Sequence, residues 1–161
     1  MLKTIIHNIP LTIFVLSGLI SFVSCGKADQ EGMTEWVNKE KGVKAWERTS
    51  KNGITTYTYY YKSGIKKRSE EYSGGIRHGK SIQWYESGKV EFEKEFDNGK
   101  KIGTHKRYYY NGTLSGEQFY KLGTKSGTWK FYLLNGKEWL SESYNKGSLI
   151  SSERFNPFSL K

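Results

Sequence analysis

Cysteine, proline and histidine are all scarce in this 161-residue chain. The single cysteine excludes a disulfide framework and a cysteine-based zinc site within one chain. The two prolines leave residues 12–156 free of proline, which suits a β-sheet because proline would remove ladder hydrogen bonds. The three histidines have no second histidine or cysteine at ligand spacing, so no metal site is expected.

Leucine and alanine are also few, which argues against a helix bundle. Tyrosine, tryptophan and phenylalanine together make up 16% of the residues, and there are 18 glycines. The formal net charge is +10, yet a disordered basic tail would lack these aromatic residues. The composition therefore predicts one small, glycine-punctuated β domain.

Residues 1–24 predict an export signal. One charged residue, Lys3, precedes an apolar run over residues 11–23. That run is too short to cross a hydrocarbon core of about 30 Å comfortably as a permanent helix. A short positive region followed by such a run is typical of a secretory signal peptide.

The only cysteine follows this segment directly. Val23, Ser24 and Cys25 resemble the end of the bacterial lipobox, which implies lipid attachment at Cys25. An ordinary signal peptide with an incidental cysteine, or an uncleaved anchor, is the alternative. Gly26 in place of aspartate favours the outer membrane, and residues 25–42 are expected to form a polar tether.

Glycines and aromatic residues recur along the rest of the chain with a period of 24 residues. The aromatic series are Tyr60, Trp84, Tyr108 and Tyr132, and Tyr72, Phe96, Tyr120 and Tyr144. Four copies follow without insertion, at residues 55–78, 79–102, 103–126 and 127–150. Thr55 opens the first copy, where the other three have glycine. Residues 43–54 are expected to be a degenerate leading half-repeat, and residues 151–161 a cap folded over the last hairpin.

Each copy is predicted to be a β-hairpin. In the second copy, residues 81–86 and 89–97 form the two strands on either side of Ser87-Gly88. The dipeptides at this place are typical of two-residue loops with positive φ: Ser63-Gly64, Ser87-Gly88, Asn111-Gly112 and Asn135-Gly136. A second glycine-rich corner, residues 98–103, passes the chain to the next hairpin. The four copies then give eight strands in one antiparallel meander.

The pattern Gly-x-x-x-x-Tyr/Trp-x-x-x-Gly, seen from Gly79 to Gly88 and followed by Phe96-x-x-Gly99, resembles MORN repeats. More narrowly, it resembles the bacterial variant found in proteins labelled YwqK-family antitoxins. The resemblance covers residues 55–150 and implies an all-β fold, a single-layer antiparallel meander of four tandem hairpins. For function it implies lipid binding, protein scaffolding, dimerisation or an antitoxin role, without choosing among them.

No arrangement of residues predicts catalysis, and no cofactor is expected. Glu91, Glu93 and Glu95 alternate along one strand beside lysines, which is typical of a solvated face rather than of an acid/base pair. The chain has neither a Gly-x-Ser-x-Gly motif nor a phosphate-binding loop that leads into a helix. The sequence therefore predicts a protein that is not an enzyme.

Positions that vary between the copies are the candidates for a partner-binding face, because positions that repeat serve packing. This face is predicted to consist of Tyr85, His105, Arg107, Tyr109, Trp129 and Phe131. The candidate anion contacts are Lys100, Lys101 and Lys106. The same face could instead pack against a second copy of the chain.

These features predict a lipid-anchored repeat protein of the cell envelope that acts as a protein-interaction module, with an antitoxin or immunity-like role implied by the resemblance. The alternative is a binder of anionic lipid headgroups or surface glycan through basic and aromatic residues. Nucleic acid is not expected as a partner, because an exported chain would meet little of it.

Overall fold

The computed structural model describes the backbone of residues 33–38 and 42–156 and the side chains of residues 42–156. The signal peptide and Cys25 lie outside the described residues. The described part of the chain contains strands and turns. The strands are β1 (Met33–Asn38), β2 (Val43–Lys51), β3 (Ile54–Tyr60), β4 (Lys66–Ser73), β5 (Ile76–Trp84), β6 (Val90–Asp97), β7 (Lys100–Tyr108), β8 (Leu114–Lys121), β9 (Thr124–Lys125), β10 (Gly127–Tyr132), β11 (Glu138–Asn145) and β12 (Ser148–Arg154).

All of these strands belong to one open sheet in which chain neighbours pair antiparallel. The short strand β9 pairs with β8, and β10 continues the same course along β8. The prediction of an all-β, single-layer antiparallel meander is therefore confirmed. A helix long and apolar enough to cross a membrane is absent from the described residues.

Three strands extend the sheet beyond the eight predicted for the four copies. β2 lies where the leading half-repeat was expected, and β1 pairs with it. Residues 33–38 thus form a strand inside the segment expected to be a tether. At the other end, β12 pairs with β11, so the first residues of the segment expected to be a cap extend the sheet. In both places the edge of a sheet offers free N–H and C=O groups, and a further strand satisfies them.

Two-residue turns and longer loops alternate along the chain, but each kind lies where the other was predicted. At Ser87-Gly88 the Gly88 N–H donates to Tyr85 O at 2.9 Å, and only the glycine of this dipeptide has positive φ. This is a three-residue loop ending in a glycine bulge, not a two-residue loop. The two-residue turns join the strands at their other ends. The first residue of each turn has positive φ, and so does the glycine that follows it; these first residues are Asn52, Asn98, Leu122 and Lys146. The corner predicted over residues 98–103 is thus the dipeptide Asn98-Gly99 alone.

The glycine that opens each later copy lies inside a strand, at a bulge. The ladder between β6 and β7 pairs Glu93 with Lys106 and then Glu95 with Ile102, so β7 carries two extra residues. Gly103 lies in this bulge with φ +65°. The first copy has Thr55 instead, and the ladder between β2 and β3 has no shift. The glycine series therefore marks the bulges.

Burial in this sheet is slight, as expected for a single layer. The buried hydrophobic side chains of the described residues are Phe96, Tyr120 and Trp129. No described side chain is less than 2% exposed. The small core therefore lies on one face of the sheet, in the second, third and fourth copies.

A cationic groove as the candidate partner-binding site

A ladder of stacked aromatic rings runs across one face of the sheet and forms the floor of that face. Ring centroids lie 5.9 Å apart for Phe96 and His105, 4.7 Å for His105 and Tyr120, 5.1 Å for Tyr120 and Trp129, and 4.9 Å for Trp129 and Tyr144. Offset and tilted rings at these distances attract one another beyond the area that they bury. The ladder joins three consecutive copies into one packed surface.

Three cations at equivalent positions in successive copies cover the ladder. Arg77 lies over Phe96, with its guanidinium 4.9 Å from the ring centroid. Lys101 lies over Tyr120 at 4.7 Å, and Lys125 lies over Trp129 at 4.4 Å. Each contact is a cation–π interaction, which holds the charge on the open side of the rings. The face is therefore aromatic beneath and positive above.

His105 and Trp129 are floor residues, buried rather than exposed as predicted. They retain 5% and 4% of their accessible surface. The Trp129 indole N–H donates to Phe119 O at 2.9 Å, and His105 Nε2 lies 3.1 Å from Glu95 O. The bulge interrupts the hydrogen bonds between neighbouring strands at these carbonyl groups, and the two rings fill the space that is left. This position varies among the copies because different side chains can fill the same bulge.

Tyr85 and Tyr109 form part of the wall of the groove, and their hydroxyl groups are already bonded within the chain. Tyr85 donates to Tyr108 O and Tyr109 donates to Tyr132 O, both at 2.8 Å. Burial is the main reason that the pKa of Tyr85 lies above its usual value. These tyrosines can offer ring surface to a partner, but their hydroxyl groups tie consecutive hairpins together.

Beside this ladder lies an open groove of about 450 Å³, and His105 is the ring of the ladder that lines it. The groove brings together five of the six residues predicted for the partner-binding face: Tyr85, His105, Arg107, Tyr109 and Phe131. Of the predicted anion contacts, Lys101 and Lys106 line the groove and Lys100 does not. The ammonium of Lys106 lies 3.9 Å from a carboxylate oxygen of Glu117, which belongs to the opposite face of the sheet, so this charge does not add to those of the groove.

Sequence reasoning missed seven residues that line the groove: Phe92, Lys94, Tyr108, Ser115, Gly116, Gln118 and Trp139. Lys94 could have been found, because its position holds glutamate in the first copy, glutamine in the third and glutamate in the fourth. A cation where the equivalent position is acidic is the kind of break in the repeat that indicates function. Trp139 could not, because the register shift beside Tyr132 decides which way it points.

The groove has an excess of positive charge. Among the described residues, no acidic side chain forms an ion pair with Lys94, Lys101 or Arg107. Lys94 and Arg107 both lie over the ring of Phe92, 4.6 and 5.1 Å from its centroid. Desolvation lowers the pKa of Lys94, and the charges of Lys101 and Arg77 lower it further. An anionic ligand would relieve this repulsion.

The nearby carboxylates are engaged elsewhere. Glu91 accepts a hydrogen bond from the Gln83 amide at 2.8 Å. Glu70 is buried and binds Arg77 at 2.7 Å and Arg68 at 3.3 Å. Both carboxylates still raise the pKa of Lys94 through their charge, but among the described residues neither forms an ion pair with any of the three cations of the groove.

The opposite face of the sheet carries tyrosine–glutamate pairs. The Tyr108 hydroxyl donates to Glu93 at 3.0 Å, and burial with this bond raises the pKa of Tyr108 to about 12. Tyr132 donates to Glu117 at 3.4 Å. One repeat earlier in the chain the equivalent positions hold Trp84 and Ser69, which lack both the phenol and the carboxylate. The polar groups of this face are thus satisfied internally, so the groove is the better candidate site.

Residues 42–156 contain no group of three or more acidic, histidine or cysteine side chains that could hold a metal ion. Comparison with known families finds the MORN repeat variant at residues 77–98 and 101–122, two segments that start 24 residues apart. No curated protein matches the chain. The match and the meander together support a MORN-repeat protein. Repeats of this kind are generally modules for protein or membrane interaction and are typically not enzymes.

Proposed function

We propose that this chain is a non-enzymatic, lipid-anchored protein of the cell envelope that binds a protein partner through the groove. The observation that carries the proposal is the excess of cations beside exposed ring surface. Lys94, Lys101 and Arg107 form no ion pair within the described chain, and Phe92 lies beneath two of them. Aromatic residues and arginine in a concave patch are the usual anchors of protein interfaces.

The anchor is proposed from the sequence, because Cys25 lies outside the described residues. A lipidated cysteine at the end of an export signal would hold the repeats beside a membrane. The resemblance to YwqK-family antitoxins adds an immunity-like role as the finer proposal. Since the chain carries an export signal, its partner would then be a toxin that faces the envelope rather than one confined to the cytosol.

A second function is favoured by the same unpaired cations. Anionic lipid headgroups or surface glycan could fill the groove, and binding would then weaken steeply with salt. A protein partner depends more on ring surface, so replacing Phe131 would weaken its binding more than a moderate rise in salt would.

The test is photo-crosslinking in cells that produce the full-length chain. A photoreactive phenylalanine analogue at Phe131 should capture one protein reproducibly. The matched control places the analogue at Tyr110, which is 69% exposed and does not line the groove, and it should not capture that protein. Equal capture from both positions, or lipid alone from Phe131, would contradict a protein partner in the groove.

The anchor is tested separately. Labelled palmitate should be incorporated into the full-length chain and not into the Cys25→Ala variant. Loss of the captured protein in that variant would show that the interaction needs the anchor. Palmitate labelling that survives the substitution would contradict lipid attachment at Cys25.

A further inference from the structure

The first copy contains a cation site that is filled by a carboxylate of the chain itself. Glu70 is 6% exposed and lies opposite Tyr57 in the β3–β4 ladder. It accepts from the Arg77 guanidinium at 2.7 Å and from Arg68 Nε at 3.3 Å, and the Tyr72 hydroxyl lies 3.5 Å from it. This site shows how a carboxylate is held on this face of the sheet.

The second copy has the same site with the carboxylate replaced. Lys94 lies opposite Ser81 in the β5–β6 ladder, one repeat after Glu70. Lys101 occupies the position of Arg77, and Phe96 occupies that of Tyr72. Of the two cations that bind Glu70, Arg77 therefore has a cationic counterpart in Lys101, whereas Phe92 takes the position of Arg68 and Lys94 that of the carboxylate.

A third cation adds to the site. Arg107 shares the ring of Phe92 with Lys94 and has no acidic partner among the described residues. The position equivalent to Lys94 in the third copy is Gln118, which is neutral and also lines the groove. Two consecutive copies thus lack the carboxylate, and the groove lies over them.

We infer that Lys94, Lys101 and Arg107 bind a carboxylate from an acidic segment of the protein partner, which takes the place that Glu70 fills in the first copy. This inference rests on the proposed function and names the chemistry of its partner. The internal precedent selects a carboxylate, and Arg107 offers a planar pair of donors for it. Phe131 and Trp139, which lie 6.4 Å apart by ring centroid, give an apolar side chain beside the acid a surface to pack on.

The test uses the full-length Cys25→Ala chain in detergent micelles, so that a lipid anchor makes no contribution. Titration calorimetry with hexaglutamate should detect binding that weakens with salt, and hexaglutamine should not bind. Inorganic phosphate and the soluble lipid dihexanoyl phosphatidylglycerol are separate arms. Binding of phosphate or of this lipid without binding of hexaglutamate would overturn the assignment to an acidic protein segment.

Lys94→Glu is the decisive variant, because it recreates the arrangement of the first copy. The new carboxylate should pair with Lys101, so hexaglutamate binding should weaken at least about tenfold. The same pairing should raise the thermal midpoint of unfolding by about 2–4 °C, which also shows that the variant folds. Hexaglutamate binding equal to that of the unsubstituted chain, or a lowered midpoint, would overturn the inference.

Two further variants complete the design. Lys121→Glu makes the same change of charge at an exposed residue that does not line the groove, and it should retain most of the binding. Lys94→Gln copies the third copy and should bind with intermediate affinity. If Lys121→Glu weakened binding as much as Lys94→Glu, the effect would be one of net charge and the inference would fail. If hexaglutamate fails to bind while Phe131 still captures a protein, only the carboxylate assignment falls.

Discussion

The Tyr85 hydroxyl donates a hydrogen bond to the carbonyl oxygen of Tyr108 at 2.8 Å. This bond joins the loop of the second hairpin to the last residue of β7. Tyr61 and Tyr109 make the same bond, also at 2.8 Å, to the residue 23 positions further along the chain. Each bond therefore spans one boundary between copies and stabilises the stacking of neighbouring hairpins, which would be marginal alone.

Removing one of these hydroxyl groups should destabilise the sheet. We expect Tyr85→Phe to lower the free energy of unfolding by about 0.5–1.5 kcal/mol, because a half-buried hydrogen bond is lost while the ring is kept. Urea denaturation measures the change. Tyr110→Phe is the control, since that side chain is 69% exposed, and it should have little effect. Equal stability of Tyr85→Phe and the unsubstituted chain would show that the hydroxyl contributes nothing.

Gly79 should tolerate a side chain poorly for two reasons. Its φ is +92°, and an added Cβ would meet the Glu71 carboxylate. We expect Gly79→Ala to cost about 1–3 kcal/mol of the free energy of unfolding. Gly53→Ala is the matched control, because its φ is +75° and nothing lies within 4 Å of the added atom. It should cost less, since only backbone strain remains. A Gly53 variant that is as destabilised as the Gly79 variant would contradict the steric part of this account.

His105 should make the stability of the fold depend on pH. Burial lowers the pKa of His105 below its usual value of 6.5, and the charges of Lys101 and Lys94 lower it further. Below pH 6.5 the unfolded chain therefore binds a proton that the folded chain does not. By linkage, the free energy of unfolding falls as the pH drops through this range.

The variant His105→Trp isolates this contribution. The fourth copy has Trp129 at the same position, and its indole N–H keeps the bond to the opened carbonyl. Urea midpoints between about pH 7.5 and 5 should fall less steeply for the variant than for the unsubstituted chain. Parallel pH profiles would indicate that His105 carries the same proton in the folded and unfolded states.

Tyr108 should produce the opposite dependence at high pH. Its pKa is raised from 10.0 to about 12, first by burial and then by the bond to Glu93. Between these values the unfolded chain has lost a proton that the folded chain keeps, so stability should fall as the pH rises. We expect Tyr108→Phe to remove part of this fall.

Glu93→Gln provides the check on the cause. It removes the negative charge beside the phenol, so the pKa of Tyr108 should move towards 10.0, although burial remains. The absorbance of tyrosinate follows this titration, and Tyr108→Phe identifies its share of the signal. A pKa of Tyr108 unchanged by Glu93→Gln would leave burial and the charge of Glu117 as the causes.

Much of the architecture could be predicted because a 24-residue repeat shows each structural feature several times over. A feature that recurs four times without insertion, such as the series that includes Trp84 and Tyr108, must serve each hairpin alike. Alternation along each strand also assigns Tyr85, Arg107 and Phe131 to one face, and all three line the groove. The turns were harder, because Ser87-Gly88 and Asn98-Gly99 look alike locally and differ in the hydrogen bonds that close the loop.

By itself, the sequence determined the period, the antiparallel sheet and the set of residues that share a face, because these follow from local alternation and from glycine positions. Only the tertiary structure decided which side chains of that face are buried and which are accessible to a partner. The bulge at Gly103 inserts two extra residues into β7, and the sequence pattern does not show this shift of register. That shift buries His105 and brings Arg107 of β7 opposite Phe92 of β6. The charge of the groove therefore arises from pairing between strands, which no single strand encodes.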